Sequence, residues 1–216
     1  MSSRTGPLGL LAALLPFFCV AATAAPATER EWRFQVSLGD KPIGYHDFRL
    51  SRDGAATHVE TEASFDVSFW VFNAYRYSHR NSERWKGDCL TSLDATTDDN
   101  GERFEVRGEE AGGRFVVDTG AASKTLPSCV MSFAYWNEQF LQQDRLLNPQ
   151  TGEYLPVSVT AKGHEPIVVE GRTEPSSRYT ITARDFTIDV WYGPDGRWLA
   201  LDSTTEDGHT LHYRLR

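Results

Sequence analysis

From residue 31 onward, hydrophobic and polar positions alternate with a period of two. Trp32, Phe34, Val36 and Leu38 interleave with Glu31, Arg33, Gln35 and Ser37, the pattern of a strand with one buried and one wet face. The same alternation returns in Phe186, Ile188, Val190, Tyr192 and in Leu211, Tyr213, Leu215, with shorter versions in Tyr179, Ile181, Ala183 and in Leu155, Val157, Val159. Turn formers separate these runs: Gly39-Asp40, Asp53-Gly54, Asn100-Gly101, Gly112-Gly113, Pro194-Asp195-Gly196 and Asp207-Gly208. Asn-Gly and Asp-Gly tolerate the positive φ that tight antiparallel turns demand. Strands spaced about ten residues apart and joined in this way predict an all-β, mainly antiparallel fold: a single curved sheet, half-barrel or barrel of roughly ten strands. Parallel units need long crossover connections, and no run supplies them. One segment departs from the period of two. Between Ser132 and Gln143, apolar residues fall at Phe133, Trp136, Phe140 and Leu141, a helical spacing that predicts one short helix or helical turn packed on an end or face of the sheet.

The first residues have a different character. Arg4 is the only charge before Glu29, Leu8 to Val20 is dominated by apolar residues, and Ala22-Thr23-Ala24 follows. A positive start, an apolar core and a small-x-small exit match a cleavable export signal over residues 1–24. The apolar run is interrupted by Pro16 and is shorter than the ~20 residues a membrane anchor needs. Phe17-Phe18 ahead of Cys19 lacks the small residue of a lipoprotein site. Residues 25–216 then form one domain, without linker, repeat or composition shift. It has no transmembrane segment after processing, and its expected location is the periplasm.

The formal net charge of the chain is −8, and it has no basic block. An acidic surface argues against nucleic acid and anionic membranes as partners. Processing leaves two cysteines, Cys89 and Cys129, which an oxidising compartment would pair in a disulfide. Neither sits in a C-x-x-C spacing or beside a histidine, so no metal site or cofactor is expected.

The stretch from Phe65 to Trp85 is the most unusual. Read as one strand, it carries Phe65, Val67, Phe69, Val71, Tyr75, Tyr77 and His79 on one face, and Trp70, Phe72, Arg76, Arg80 and Arg84 on the other. An aromatic strand leading into an arginine stripe suits an amphipathic ligand, rings taking the hydrocarbon and Arg76 and Arg80 an anionic head. The plainer alternative packs Trp70 and Phe72 under the helix and pairs the arginines with surface carboxylates. Tyr135 and Trp136, tethered by Cys129, form a second candidate, either a pocket lid or core. The candidate ligand-binding set is therefore Phe69, Trp70, Phe72, Arg76, Arg80, Tyr135 and Trp136.

Evidence for an enzyme is thin. The histidines at 46, 58, 79, 164, 209 and 212 are scattered, and H-E-x-x-H, G-x-S-x-G and S-x-x-K are all missing. No catalytic residue is assigned. A deep pocket gathering two or more of His46, His79, Tyr45 and a carboxylate would favour an enzyme.

Several segments carry a family resemblance: Gly44-Tyr45-His46, Asn73 to Tyr77, Glu83-Arg84-Trp85 with Gly87-Asp88-Cys89, Asp98 to Gly101, Cys129 to Asn137, and Leu146 to Gly152. In these the chain resembles a family of exported bacterial proteins known only as a domain of unknown function. The resemblance implies an extracytoplasmic β domain and no activity. The outline is also similar to the open half-barrels of envelope lipid carriers, a likeness of fold only. The expected function is a periplasmic binding module for a hydrophobic or amphipathic, lipid-like small molecule. The alternatives are an envelope assembly or accessory protein acting through protein contacts, and an enzyme.

Overall fold

The computed structural model describes Met1 and residues 28–69, 72–205 and 208–216. Residues 2–24 of the expected export signal lie outside the described residues, as do Trp70 and Asp207.

Two antiparallel meanders make up the sheet. The first comprises β1 (Thr28–Leu38), β2 (Lys41–Asp53), β3 (Ala56–Phe69), β4 (Phe72–Lys86), β5 (Cys89–Asp99), β6 (Glu102–Ala111), β7 (Arg114–Asp118) and β8 (Ser123–Leu126). The second comprises β11 (Ser158–Val169), β12 (Arg172–Thr182), β13 (Phe186–Tyr192), β14 (Trp198–Thr205) and β15 (Thr210–Leu215). Pairing of β1 with β15 joins them into one thirteen-stranded sheet that is not closed, with β11 and β8 at its edges. A small hairpin, β9 (Arg145–Leu147) with β10 (Tyr154–Pro156), stands apart. The turns fall where expected at Gly39-Asp40, Asn100-Gly101 and Gly112-Gly113, and Asn100 and Gly101 both take positive φ, 53° and 95°.

The architecture is the expected all-β one, with differences in detail. Phe65 to Trp85 is not one strand. The chain reverses between β3 and β4, so Phe69 and Phe72 are backbone partners at the tip of a hairpin. The Leu155-Val157-Val159 run also splits, because the Val157 N–H bonds to the Asp144 carbonyl between β10 and β11. These breaks contribute to a count above the roughly ten strands expected from alternation alone. Of the expected short helix or helical turn, the structure has the turn, a 3₁₀ one over Glu138–Gln142, capped by the Asn137 side chain accepting from the Gln139 N–H. Upstream carbonyls are engaged elsewhere: Val130 accepts from the Leu90 N–H and Tyr135 from the Tyr192 hydroxyl. Within the segment the Ala134 N–H bonds to the Ser132 carbonyl and the Asn137 N–H to the Ala134 carbonyl, closing turns tighter than the i→i+4 bonds of an α-helix.

Residues 127–157 form a strap across the inner face of the sheet. The Cys89–Cys129 disulfide fixes one end to β5, and Asn137 Nδ2 donates to Asp88 Oδ1 at 2.9 Å. On the far side, the Tyr192 hydroxyl on β13 donates to the Tyr135 carbonyl at 2.6 Å. Val130, Phe140, Leu146 and Leu147 of the strap are fully buried, in one core cluster with Phe34, Trp85 and Trp198 of the sheet. The strap thus replaces the second sheet that a sandwich would use to cover a hydrophobic face.

Gly44 permits this packing at one tight point. A Cβ there would lie 1.9 Å from the Ser64 carbonyl oxygen of β3, beside the register shift at Val36/Ser37.

Candidate ligand cavity

Register carries a row of polar side chains into the interior. His46 on β2 lies beside Ala63, His79 and Thr97 across β3, β4 and β5. The next row is Phe48, Thr61, Asn81 and Ala95, and the one after is Leu50, Val59, Glu83 and Leu93. Directly paired residues share a face, so the inward face of β4 reads Tyr77, His79, Asn81, Glu83, Trp85. Each of these five is buried, while the intervening Arg76, Arg80 and Arg84 are exposed.

Between this part of the sheet and the strap is a cavity of about 280 Å³. Its apolar wall includes Phe48, Trp198, Phe133, Tyr135, Trp136 and Phe186; its polar lining includes His46, Thr61, His79, Asn81 and Glu83. The rings are mutually packed: Phe48 meets Trp198 at 4.9 Å, Tyr135 meets Trp198 at 5.2 Å, and Trp136 stands edge-on to Trp85 at 5.3 Å. His46 stacks on Phe48 at 4.3 Å.

Glu83 is the best satisfied polar group of the lining. Asn81 Nδ2 donates to its Oε1 and Trp85 Nε1 to its Oε2, both at 3.0 Å. Burial pushes its carboxyl above the usual range, opposed by hydrogen bonds from Asn81, Ser132 and Trp85. His79 Nδ1 lies 2.9 Å from Thr97 Oγ1. Among the described residues, five buried side-chain atoms have no hydrogen-bond partner: Arg178 Nε and His212 Nδ1 away from the cavity, and His46 Nε2, Asn81 Oδ1 and Trp136 Nε1. The last three belong to residues of the cavity lining. Burial holds the His46 imidazole down to about 3, helped by His79, and His79 itself to about 4. Both are neutral at physiological pH. Burial likewise raises the phenols of Tyr135 and Tyr213, which remain protonated donors. The site can therefore donate and accept hydrogen bonds in an apolar surround, but its histidines carry no charge.

The residues singled out from sequence are divided by this arrangement. Tyr135 and Trp136 line the cavity. Arg76 and Arg80 are on the opposite, wet face, paired with Asp66 at 3.4 Å and Glu62 at 3.1 Å. They cannot meet a ligand head inside, because alternation along β4 turns them away from its buried row. Trp70 lies outside the described residues; Phe69 and Phe72 are at the hairpin tip. Tyr45 is not in the cavity either, since its hydroxyl donates to Glu62 Oε1 at 3.4 Å. Asn81 and Glu83 were not singled out. Their signal was present as two polar residues continuing the inward face that begins at Tyr77 and His79. Among the described residues, no group of three or more His, Cys, Asp or Glu side chains is placed to hold a metal ion, and no helix is long and apolar enough to cross a membrane.

Comparison with known proteins gives family and fold. The model of a domain of unknown function, DUF6134, matches residues 34–216. The crystal structure of a beta-barrel-like protein of the domain of unknown function DUF1849 from Brucella abortus superposes with a TM-score of 0.64. The match covers 86% of this chain and 94% of that one at 10% identity, so it is a likeness of fold. No curated protein matches the chain.

Proposed function

The chain belongs to the DUF6134 family, whose domain has no assigned function, and from its cavity we propose that it is a binding module for a small, largely hydrophobic molecule held between the curved sheet and the strap. The observation that carries the proposal is a cavity whose aromatic wall is interrupted by buried polar atoms lacking protein partners. Core voids are normally apolar and filled. Ligand sites instead combine an apolar wall with a few convergent polar groups. At about 280 Å³, the space is just below the roughly 300–1,000 Å³ typical of ligand pockets.

The proposal places the protein outside the cytoplasm, where the leader at residues 1–24 would direct it. The Cys89–Cys129 disulfide supports that placement, since such bonds persist in oxidising compartments. An enzyme is the second reading, favoured by His46, His79 and Glu83 sharing one cavity. Acid–base work needs a group that titrates near the working pH; both imidazoles are held well below it, and the Glu83 carboxyl, although raised by burial, is tied to Asn81 and Trp85. Binding is therefore the better supported function.

Fluorescence of N-phenyl-1-naphthylamine, a neutral apolar dye, tests the proposal. The wild-type protein should bind it at micromolar concentration. Ser203→Trp, which places an indole into the cavity from β14, should abolish binding while still melting cooperatively. Undiminished dye binding by a folded Ser203→Trp protein would place the dye elsewhere and remove the support.

A further inference from the structure

The three unpartnered atoms of the cavity lining have complementary chemistry. Asn81 Oδ1 can only accept, because the amide is oriented by Nδ2 donating to Glu83 Oε1. Trp136 Nε1 can only donate, and His46 Nε2 can do either according to its tautomer. The Asn81 carbonyl oxygen is itself buried from bulk solvent. An unsatisfied buried polar group is costly, and three in one lining favour a bound partner that serves them. That partner must present a donor to Asn81 and an acceptor to Trp136.

The charge of the partner follows from the lining as well. Among the described residues, no lysine or arginine lines the cavity, and its carboxyl groups are Glu83 and Asp185. An anionic head would enter without a counter-charge, against the cost of burying an ion. A cation would find Asp185 exposed at the rim and already paired with Arg184 at 3.0 Å. At Glu83 it would find a carboxyl that burial pushes up and that already accepts from Asn81 and Trp85.

Resting on the binding reading above, we infer that the ligand is an uncharged amphiphile whose head carries both a hydrogen-bond donor and an acceptor, of the alcohol or primary amide type, recognised by Asn81 and Trp136 with His46 alongside. The Asn81 carbonyl takes the head's O–H or N–H, and the Trp136 indole N–H donates to its oxygen. The hydrocarbon lies against Phe48, Trp198 and Phe133.

Displacement of N-phenyl-1-naphthylamine by a set of eight-carbon compounds tests this. Octanamide and octan-1-ol should displace the dye at concentrations about tenfold or more below those needed for N,N-dimethyloctanamide, which lacks the donor, and for octanoate and octylammonium, which are charged. Asn81→Leu should reduce the preference for octanamide over its dimethyl analogue to near unity. Trp136→Phe keeps a ring but not the N–H, and should weaken both amides by a similar factor. Equal displacement by all five compounds, or octanoate or octylammonium ahead of octanamide, would overturn the inference and leave the cavity reading standing. A protein that binds neither dye nor any octyl compound overturns both. If Asn81→Leu does not fold, the wild-type ranking and Trp136→Phe still decide.

Discussion

Asn81 and Glu83, two residues apart on the inward face of β4, are joined by the Asn81 amide N–H donating to the Glu83 carboxyl at 3.0 Å. The bond helps to satisfy a buried carboxyl and, by fixing the amide, leaves the Asn81 carbonyl oxygen without a protein partner in the cavity wall. One contact thus links the stability of the sheet to the chemistry of the site. Asn81→Ala should lower unfolding free energy by about 1–3 kcal/mol, because Glu83 Oε1 loses its donor in a buried place. Urea denaturation checks this; an unchanged midpoint would mean that the carboxyl is satisfied without Asn81.

The strap depends on its disulfide. Cross-linking Cys89 to Cys129, 40 residues apart, constrains the unfolded chain by about 4 kcal/mol in the entropic account. Replacing both cysteines by serine should lower the melting temperature and weaken dye binding, since the strap forms one side of the cavity. Calorimetry and dye titration measure the two effects separately. Loss of stability with unaltered binding would show that the strap stays seated without its tether.

Acid should act through the buried histidines. His46 and His79 are held at about 3 and about 4, below the ordinary 6.5. As pH falls from 6.5 the unfolded chain takes up protons at both positions and the folded chain does not, so stability declines with acidification. Between pH 6.5 and about 5 the loss should reach up to about 2 kcal/mol per histidine. Glu83 works in the opposite direction: its raised carboxyl protonates first in the folded state and offsets part of the loss. Denaturation at several pH values should give a shallower decline for His46→Gln and His79→Gln than for wild type. Parallel curves would mean that the imidazoles are not the titrating groups.

Gly44 should tolerate no side chain. With a Cβ only 1.9 Å from the Ser64 carbonyl oxygen, Gly44→Ala must separate β2 from β3 beside the register that positions His46. A cost of about 2–4 kcal/mol is expected, in the range of changes that strain a packed interior. Thermal melting checks it; a change below about 0.5 kcal/mol, as at ordinary surface sites, would show that β3 yields freely.

Much of this was legible in the chain. Alternation from Trp32 onward and the glycine turns specify antiparallel strands, and Cys89 with Cys129 specify the disulfide found. The hairpin inside Phe65 to Trp85 was not legible, because both of its arms are aromatic-rich and the reversal carries no glycine or proline. Helical spacing at Phe133, Trp136 and Phe140 led to the 3₁₀ turn at Glu138–Gln142 but not to its short extent, because Phe133 and Trp136 pack from a strap bonded to the sheet. For the site, the aromatic Tyr135 and Trp136 stood out by composition. Asn81 and Glu83 acquire meaning only from register, which places them inward beside Thr61 and Val59.

The central claim is that this cavity holds a small neutral ligand, and native mass spectrometry of the protein purified from its own cells, followed by solvent extraction, tests it most directly. The account predicts a bound species of defined mass, recovered on extraction as an uncharged compound bearing a hydroxyl or amide, and reduced in Trp136→Phe. An empty protein that also fails to take up added octanamide, or a bound species that proves to be an anionic lipid, would contradict it.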